Sequence, residues 1–77
     1  MKKAYIRKLI NSIDFAMKDL QLNIDFQNLK LQTDIVQGEE KIIVVDWINT
    51  AKEVICDLDT IRQEYQKELD KWNITMN

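Results

Sequence analysis

The first part of the chain repeats its apolar residues at the spacing of an α-helix. At about 100° per residue, the apolar side chains of residues 3–21 fall within one sector about 120° wide. Asn23 lies just past this stretch, where a helix often ends in the left-handed conformation that asparagine tolerates. The pattern predicts an amphipathic helix over residues 3–21. Its apolar sector comprises Ile6, Leu9, Ile10, Ile13, Ala16, Met17 and Leu20.

Residues 24–48 carry a pattern that is typical of β-structure. Residues 42–45 are four consecutive β-branched residues, which lose rotamer freedom in a helix and fit a pleated sheet. Upstream, apolar and polar residues alternate over residues 29–35, with the period of two that a strand has. Gly38, the only glycine in the chain, lies between the two stretches and suits a tight turn. We therefore expect a β-hairpin.

A two-residue turn at Gln37 and Gly38 would also set the register of this hairpin. It would place Asp34 opposite Lys41, and Leu31 opposite Val44. The first pair has opposite charges and the second is apolar, so both pairs favour the hairpin.

The last third of the chain predicts a second amphipathic helix, over residues 50–72. Thr50 and Glu53 have the spacing of a capping box, in which each side chain accepts a hydrogen bond from an otherwise unpaired amide of the first turn. By the same logic the helix could begin slightly earlier, at Asp46. Its apolar stripe comprises Ala51, Val54, Ile55, Leu58, Ile61, Tyr65, Leu69 and Trp72.

These elements predict one α+β domain over residues 1–77, in the order helix, β-hairpin, helix. The two long amphipathic helices would pack on one face of the small antiparallel hairpin. The alternative is an all-α fold of three helices, in which a short helix begins at Asp25 and replaces the hairpin.

The charge is unevenly distributed along the chain, although the net charge is only −2. Residues 1–30 hold six Lys or Arg against three Asp, and residues 31–77 hold five against ten acidic residues. An acidic second half argues against direct nucleic-acid binding through a basic patch. A DNA-associated regulator is the weakest hypothesis, and it would have to use Lys2, Lys3, Arg7 and Lys8.

The chemistry-bearing residues argue against an enzyme. The chain has no histidine, its single glycine excludes a glycine-rich phosphate loop, and Cys56 is its only cysteine. Cys56 therefore has neither a histidine base nor a second thiol for a disulfide or a zinc site. We expect no catalytic residue, no metal and no cofactor. A lone cysteine and the lack of a long apolar run predict a cytoplasmic protein with no membrane partner.

Two features of the helices are candidates for binding a partner. Glu53, Asp57, Glu64 and Glu68 fall within about 60° of one another on the second helix, and we call them the acidic ridge. They could dock on a basic partner, although an ordinary solvated helix face is the simpler interpretation. Phe15 points away from the apolar stripe of the first helix. It could anchor a partner, or it could pack with Leu22 beneath the hairpin.

Arg62 falls within the apolar sector of the second helix. A charge at such a position must reach solvent or find a partner. We favour an edge arginine whose methylenes cover the core, and the alternative is a pair with Asp14 or Asp19 across the helices.

Together these observations predict a small non-enzymatic protein-binding module, of the size of an inhibitor or accessory factor. It would dock its acidic ridge on a basic surface of a larger protein. The alternative is a structural subunit that forms a homodimer or larger homo-oligomer through its amphipathic helices, with Trp47, Tyr65 and Trp72 in the interface.

Overall fold

The protein is a hairpin of two long antiparallel helices. The structure, a computed structural model, describes residues 2–33 and 36–75, including the side chains of those up to Trp72. Helix α1 covers Lys3–Gln32 and helix α2 covers Glu39–Thr75. No strand occurs in either described range. The Cα positions extend over 58 × 15 × 14 Å, so the molecule is a rod two helices wide.

Helix α1 runs through the region predicted to turn into a hairpin because its apolar stripe continues at helical spacing. Leu20, Ile24 and Leu31 are separated by four and seven residues, which keeps them on one side of the helix. The helix ends at Gln32 and is capped by Thr33, whose backbone N–H donates to the carbonyl of Leu29 at 3.1 Å. The hydroxyl of Thr33 donates to the same carbonyl and to that of Lys30, so two terminal carbonyls are satisfied.

Helix α2 starts directly after the single glycine. Gly38 has φ +64°, a conformation that side chains with a Cβ rarely adopt, and its carbonyl accepts the N–H of Lys41 at 3.2 Å. Glu39 and Glu40 occupy the first turn, where negative charge interacts favourably with the helix dipole. The chain therefore reverses direction at Gly38 and continues as a helix, and not as the second strand of a hairpin.

Two hydrophobic clusters hold the helices together. Near the chain termini, Ile6 and Ile10 of α1 pack against Leu69 of α2. Near the loop, Ile24 packs against Ile48 and Ala51. In these contacts the two residue numbers sum to about 75, which defines the antiparallel register. The half-buried residues around the clusters are Leu20, Leu31, Val44, Ile55, Tyr65 and Trp72.

The predicted α+β fold is wrong, because the described part of residues 24–48 contains helix and no strand. Asp34, and with it the proposed Asp34–Lys41 pair, lies outside the described residues. Leu31 and Val44 do pack around the same cluster, but each does so from a helix. A β-branched residue costs a helix only about 0.5 kcal/mol, and packing against a neighbouring helix outweighs so small a preference.

The predicted helix ends are also wrong. Asn23 does not end α1; its side-chain amide donates to the carbonyl of Asp19 at 2.9 Å, inside the helix. Asp25 does not begin a third helix, since it also lies within α1. The three-helix alternative thus correctly omits strands but has one helix too many. Neither Thr50 nor Asp46 begins α2, which starts at Glu39.

Candidate protein-binding surfaces

The acidic ridge lies on one continuous stretch of α2. All four of its carboxylate side chains are exposed, and none of them makes an ion pair or hydrogen bond with another described residue. Helical geometry places them within about 60° of one another and about 140° from the side of α2 that faces α1. The structure therefore brings these four predicted site residues together at the outer edge of the hairpin.

Phe15 lies at the opposite edge of the molecule, on α1. Its side chain is 75% exposed, and Leu22 is 64% exposed, so the two do not pack beneath another element of the fold. With Phe26 and Leu29 they form a stripe that points away from α2, which we call the outer stripe. The ammonium of Lys30 lies 4.9 Å from the ring centroid of Phe26, a cation–π contact. Within one chain, Phe15 and the acidic ridge cannot contact a partner at the same place.

A further apolar surface contains Trp47, Tyr65 and Trp72, which the sequence predicted for a homo-oligomer interface, and only the structure shows its full extent. Trp47, Val54 and Ile61 recur every seven residues along α2, between its core-facing side and the acidic ridge, and each is 40–41% exposed. On the same broad side of the hairpin, α1 contributes Tyr5, which is 54% exposed. We call this surface the apolar face; it comprises Tyr5, Leu9, Ala16, Trp47, Val54, Leu58, Ile61, Tyr65 and Trp72.

A signal for the apolar face was present in the sequence. The apolar stripe of α2 extends over about 140°, from Val54 and Ile61 on one side to Ile48 on the other, when each residue turns the helix by about 100°. A single neighbouring helix covers a narrower sector, so part of this stripe had to remain outside the hairpin contact.

The reverse side of the hairpin is polar, and we call it the polar face. Here Arg62 of α2 forms an ion pair with Asp14 of α1, in which Nε donates to one carboxylate oxygen and Nη2 donates to the other at 3.4 Å. The hydrogen bond and the charge of Asp14 raise the pKa of Arg62, and the charge of Asp59 adds to this. Of the two interpretations of Arg62, the structure shows the cross-helix pair, and it selects Asp14 over Asp19.

Other side chains on the polar face bond to one another along each helix. The amide groups of three glutamines donate to aspartates four residues away, at 2.9–3.1 Å. A shallow groove of about 290 Å³ also opens on this side, between the two helices. These polar groups are satisfied within the chain or by water, so this side needs no partner. The bonded pairs are Gln21–Asp25, Gln63–Asp59 and Gln66–Asp70.

The described ranges were also compared with the requirements of a metal site and of a membrane span. No group of three metal-ligating side chains is found among residues 2–33 and 36–72. Neither helix has, in its described part, a stretch long and apolar enough to cross a membrane. Cys56 is an exposed thiol on α2. No protein-family model matches the chain, and no curated protein or solved structure shows significant similarity to it.

Proposed function

We propose that this chain is a non-enzymatic binding module that docks its acidic ridge on a basic surface of a larger protein. One observation carries the proposal: four exposed carboxylates lie side by side on one helix, and none of them pairs with the described cations of its own chain. Two of the four-residue spacings, Glu53–Asp57 and Glu64–Glu68, join like charges. Each costs a few tenths of a kcal/mol in the free chain, and a cationic partner would relieve that cost.

The ridge is held in place before it meets a partner. It runs for about 22 Å between residues 53 and 68, at about 1.5 Å per residue. The core cluster with Ile48 and Ala51 fixes α2 on one side of the ridge, and Leu69 fixes it on the other. Little conformational entropy is therefore lost on docking.

Complementary charge would steer the encounter and set its specificity. A basic surface of this length is also what a protein needs to hold a polyanion. Inhibition by covering such a surface is therefore the mode of action that we propose.

Charge reversal with a matched control tests the proposal. The chain is immobilised, and the proteins that it retains from native lysate are compared between variants at low salt and at about 0.15 M salt, where the Debye length is about 8 Å. The test variant is Asp57→Lys with Glu64→Lys. The control is Asp59→Lys with Asp70→Lys, which changes the net charge equally on the polar face of the same helix.

We expect a basic protein that the wild type and the control retain at low salt, that elutes as salt rises, and that the ridge variant does not retain. Equal retention by both variants, or binding that does not respond to salt, would contradict the proposal.

A further inference from the structure

We infer that the apolar face is covered by a second copy of this chain, with the twofold axis parallel to the helices. This inference goes beyond the docking of the acidic ridge. It stands on the difference between the two broad sides of the hairpin, on the available area, and on the arrangement of charge.

The hairpin is amphipathic as a unit. On one side, Trp47, Val54 and Ile61 of the apolar face leave about two fifths of their surface exposed to solvent. On the other side lie the Arg62–Asp14 pair and the three glutamine–aspartate hydrogen bonds. Solvent already satisfies the polar face, whereas the apolar face gains free energy by leaving water.

The apolar face covers about two thirds of the area that a stable dimer needs. It spans residues 47–72 of α2, about 38 Å, and residues 5–16 of α1, about 17 Å, at about 1.5 Å per residue. With a width of about 10 Å for each helix, it measures about 540 Å² per copy. A typical specific interface buries about 800 Å² on each partner, and the charged residues that flank the apolar face supply the remainder.

Charge distinguishes between the two twofold arrangements. The described part of the chain up to residue 33 carries +3, from six Lys or Arg and three Asp. Helix α2 carries −4, from five Lys or Arg and nine Asp or Glu. An axis parallel to the helices places α1 of one copy over α2 of the other. An axis perpendicular to the helices would instead place α2 of one copy over α2 of the other, with the two acidic ridges side by side.

The register of the hairpin identifies the pairs that meet. Rotation about an axis parallel to the helices leaves the position of each residue along the rod unchanged. Residues of α1 and α2 whose numbers sum to about 75 therefore also lie opposite each other between the two copies. Lys8 of one copy then lies level with Glu68 of the other. Further along the rod, Lys30 lies level with Asp46. At the middle of the rod, Asp19 lies in the same row of α1 as Lys8 and Lys30, so one like-charged pair, Asp19 with Asp57, stands between the two pairs of opposite charge.

This arrangement also completes a surface that one chain lacks. The outer stripe of one copy and the acidic ridge of the other come to the same side of the four-helix assembly, with Leu22 level with Glu53. Phe15 and the ridge residues Glu53, Asp57 and Glu64, which lie at opposite edges of one hairpin, would then share one docking surface, formed twice, while Glu68 would face Lys8 of the other copy. Only this last step rests on the proposed function.

The mass of the chain in solution tests the dimer without any partner. Sedimentation equilibrium at tens of micromolar should give about twice the chain mass of 9.2 kDa. Ile61→Glu, on the apolar face, should return the mass to that of one chain. Ile42→Glu makes the same change at a side chain that is 71% exposed on the outer side of α2, and it should leave the dimer intact. A wild-type monomer at these concentrations, or equal masses for the two variants, would overturn the inference.

A charge exchange tests the axis and does not depend on the hydrophobic variants. Lys8→Glu should weaken the dimer by about tenfold, since it places like charges together twice per dimer. Adding Glu68→Lys should restore the wild-type dissociation constant. Failure of the double variant to recover would exclude this axis. A dimer that forms without retaining any basic protein would contradict the proposed function and leave the dimer standing.

Discussion

Truncation of Ile24 to alanine tests the packing between the helices. Ile24 is 1% exposed and contacts Ile48 and Ala51 across the hairpin. The change removes three carbon groups at about 0.8 kcal/mol each, or about 2.4 kcal/mol, and the cavity left behind brings the expected loss to about 3–4 kcal/mol. A domain of this size has a total stability of about 4–12 kcal/mol, at roughly 0.05–0.15 kcal/mol per residue. Ile24→Ala should therefore remove a large part of the free energy of unfolding.

Urea unfolding followed by far-ultraviolet circular dichroism measures this loss. The protein concentration must be equal for all variants, because self-association contributes to apparent stability. Ile42→Ala is the matched control, since it removes the same atoms from a side chain that is 71% exposed. It should change stability by less than about 0.5 kcal/mol. Equal losses for the two variants would refute the packing described here.

Two further predictions concern the ion pair and the turn. Asp14→Asn should lower the thermal midpoint more than Asp19→Asn, because only Asp14 pairs with Arg62. Because the pKa of Arg62 is raised, its guanidinium stays charged at every pH below the ordinary pKa of arginine. Thermal melts between pH 6 and 9 should therefore show no loss of stability from deprotonation of Arg62. Gly38→Ala should destabilise by about 1 kcal/mol in urea melts through strain at positive φ, and Gly38→Asn by less.

The sequence predicted the inner faces of the helices well but not their lengths. Ile6 and Ile10 were placed on the apolar stripe and are buried, and the same holds for Leu69 in the second helix. The four β-branched residues 42–45 predicted a strand because local preference favours one, whereas Val44 packs against the cluster that contains Ile24 of α1 and helix packing prevails. The spacing of Leu20, Ile24 and Leu31 already indicated that the first helix continued.

For the candidate surfaces, the sequence could place residues on one helix but could not relate the two helices. The four ridge carboxylates needed only the period of α2, and the structure shows them exposed along one line. Phe15 was grouped with them as a partner contact, yet it lies at the opposite edge of the hairpin. That relation depends on the antiparallel register, and the same is true of the apolar face, which both helices build.

The acidic ridge, the apolar face and the polar face depend on α2 being one continuous helix from Glu39 onward. Backbone ¹³C chemical shifts of the labelled protein test this directly, at residues 41–45 above all. We predict downfield Cα shifts without interruption from residue 39 through residue 72, together with methyl contacts between Ile24 and Ile48. Upfield Cα shifts of β-type at residues 41–45 would contradict the account, because the register and both faces of the hairpin would then no longer hold.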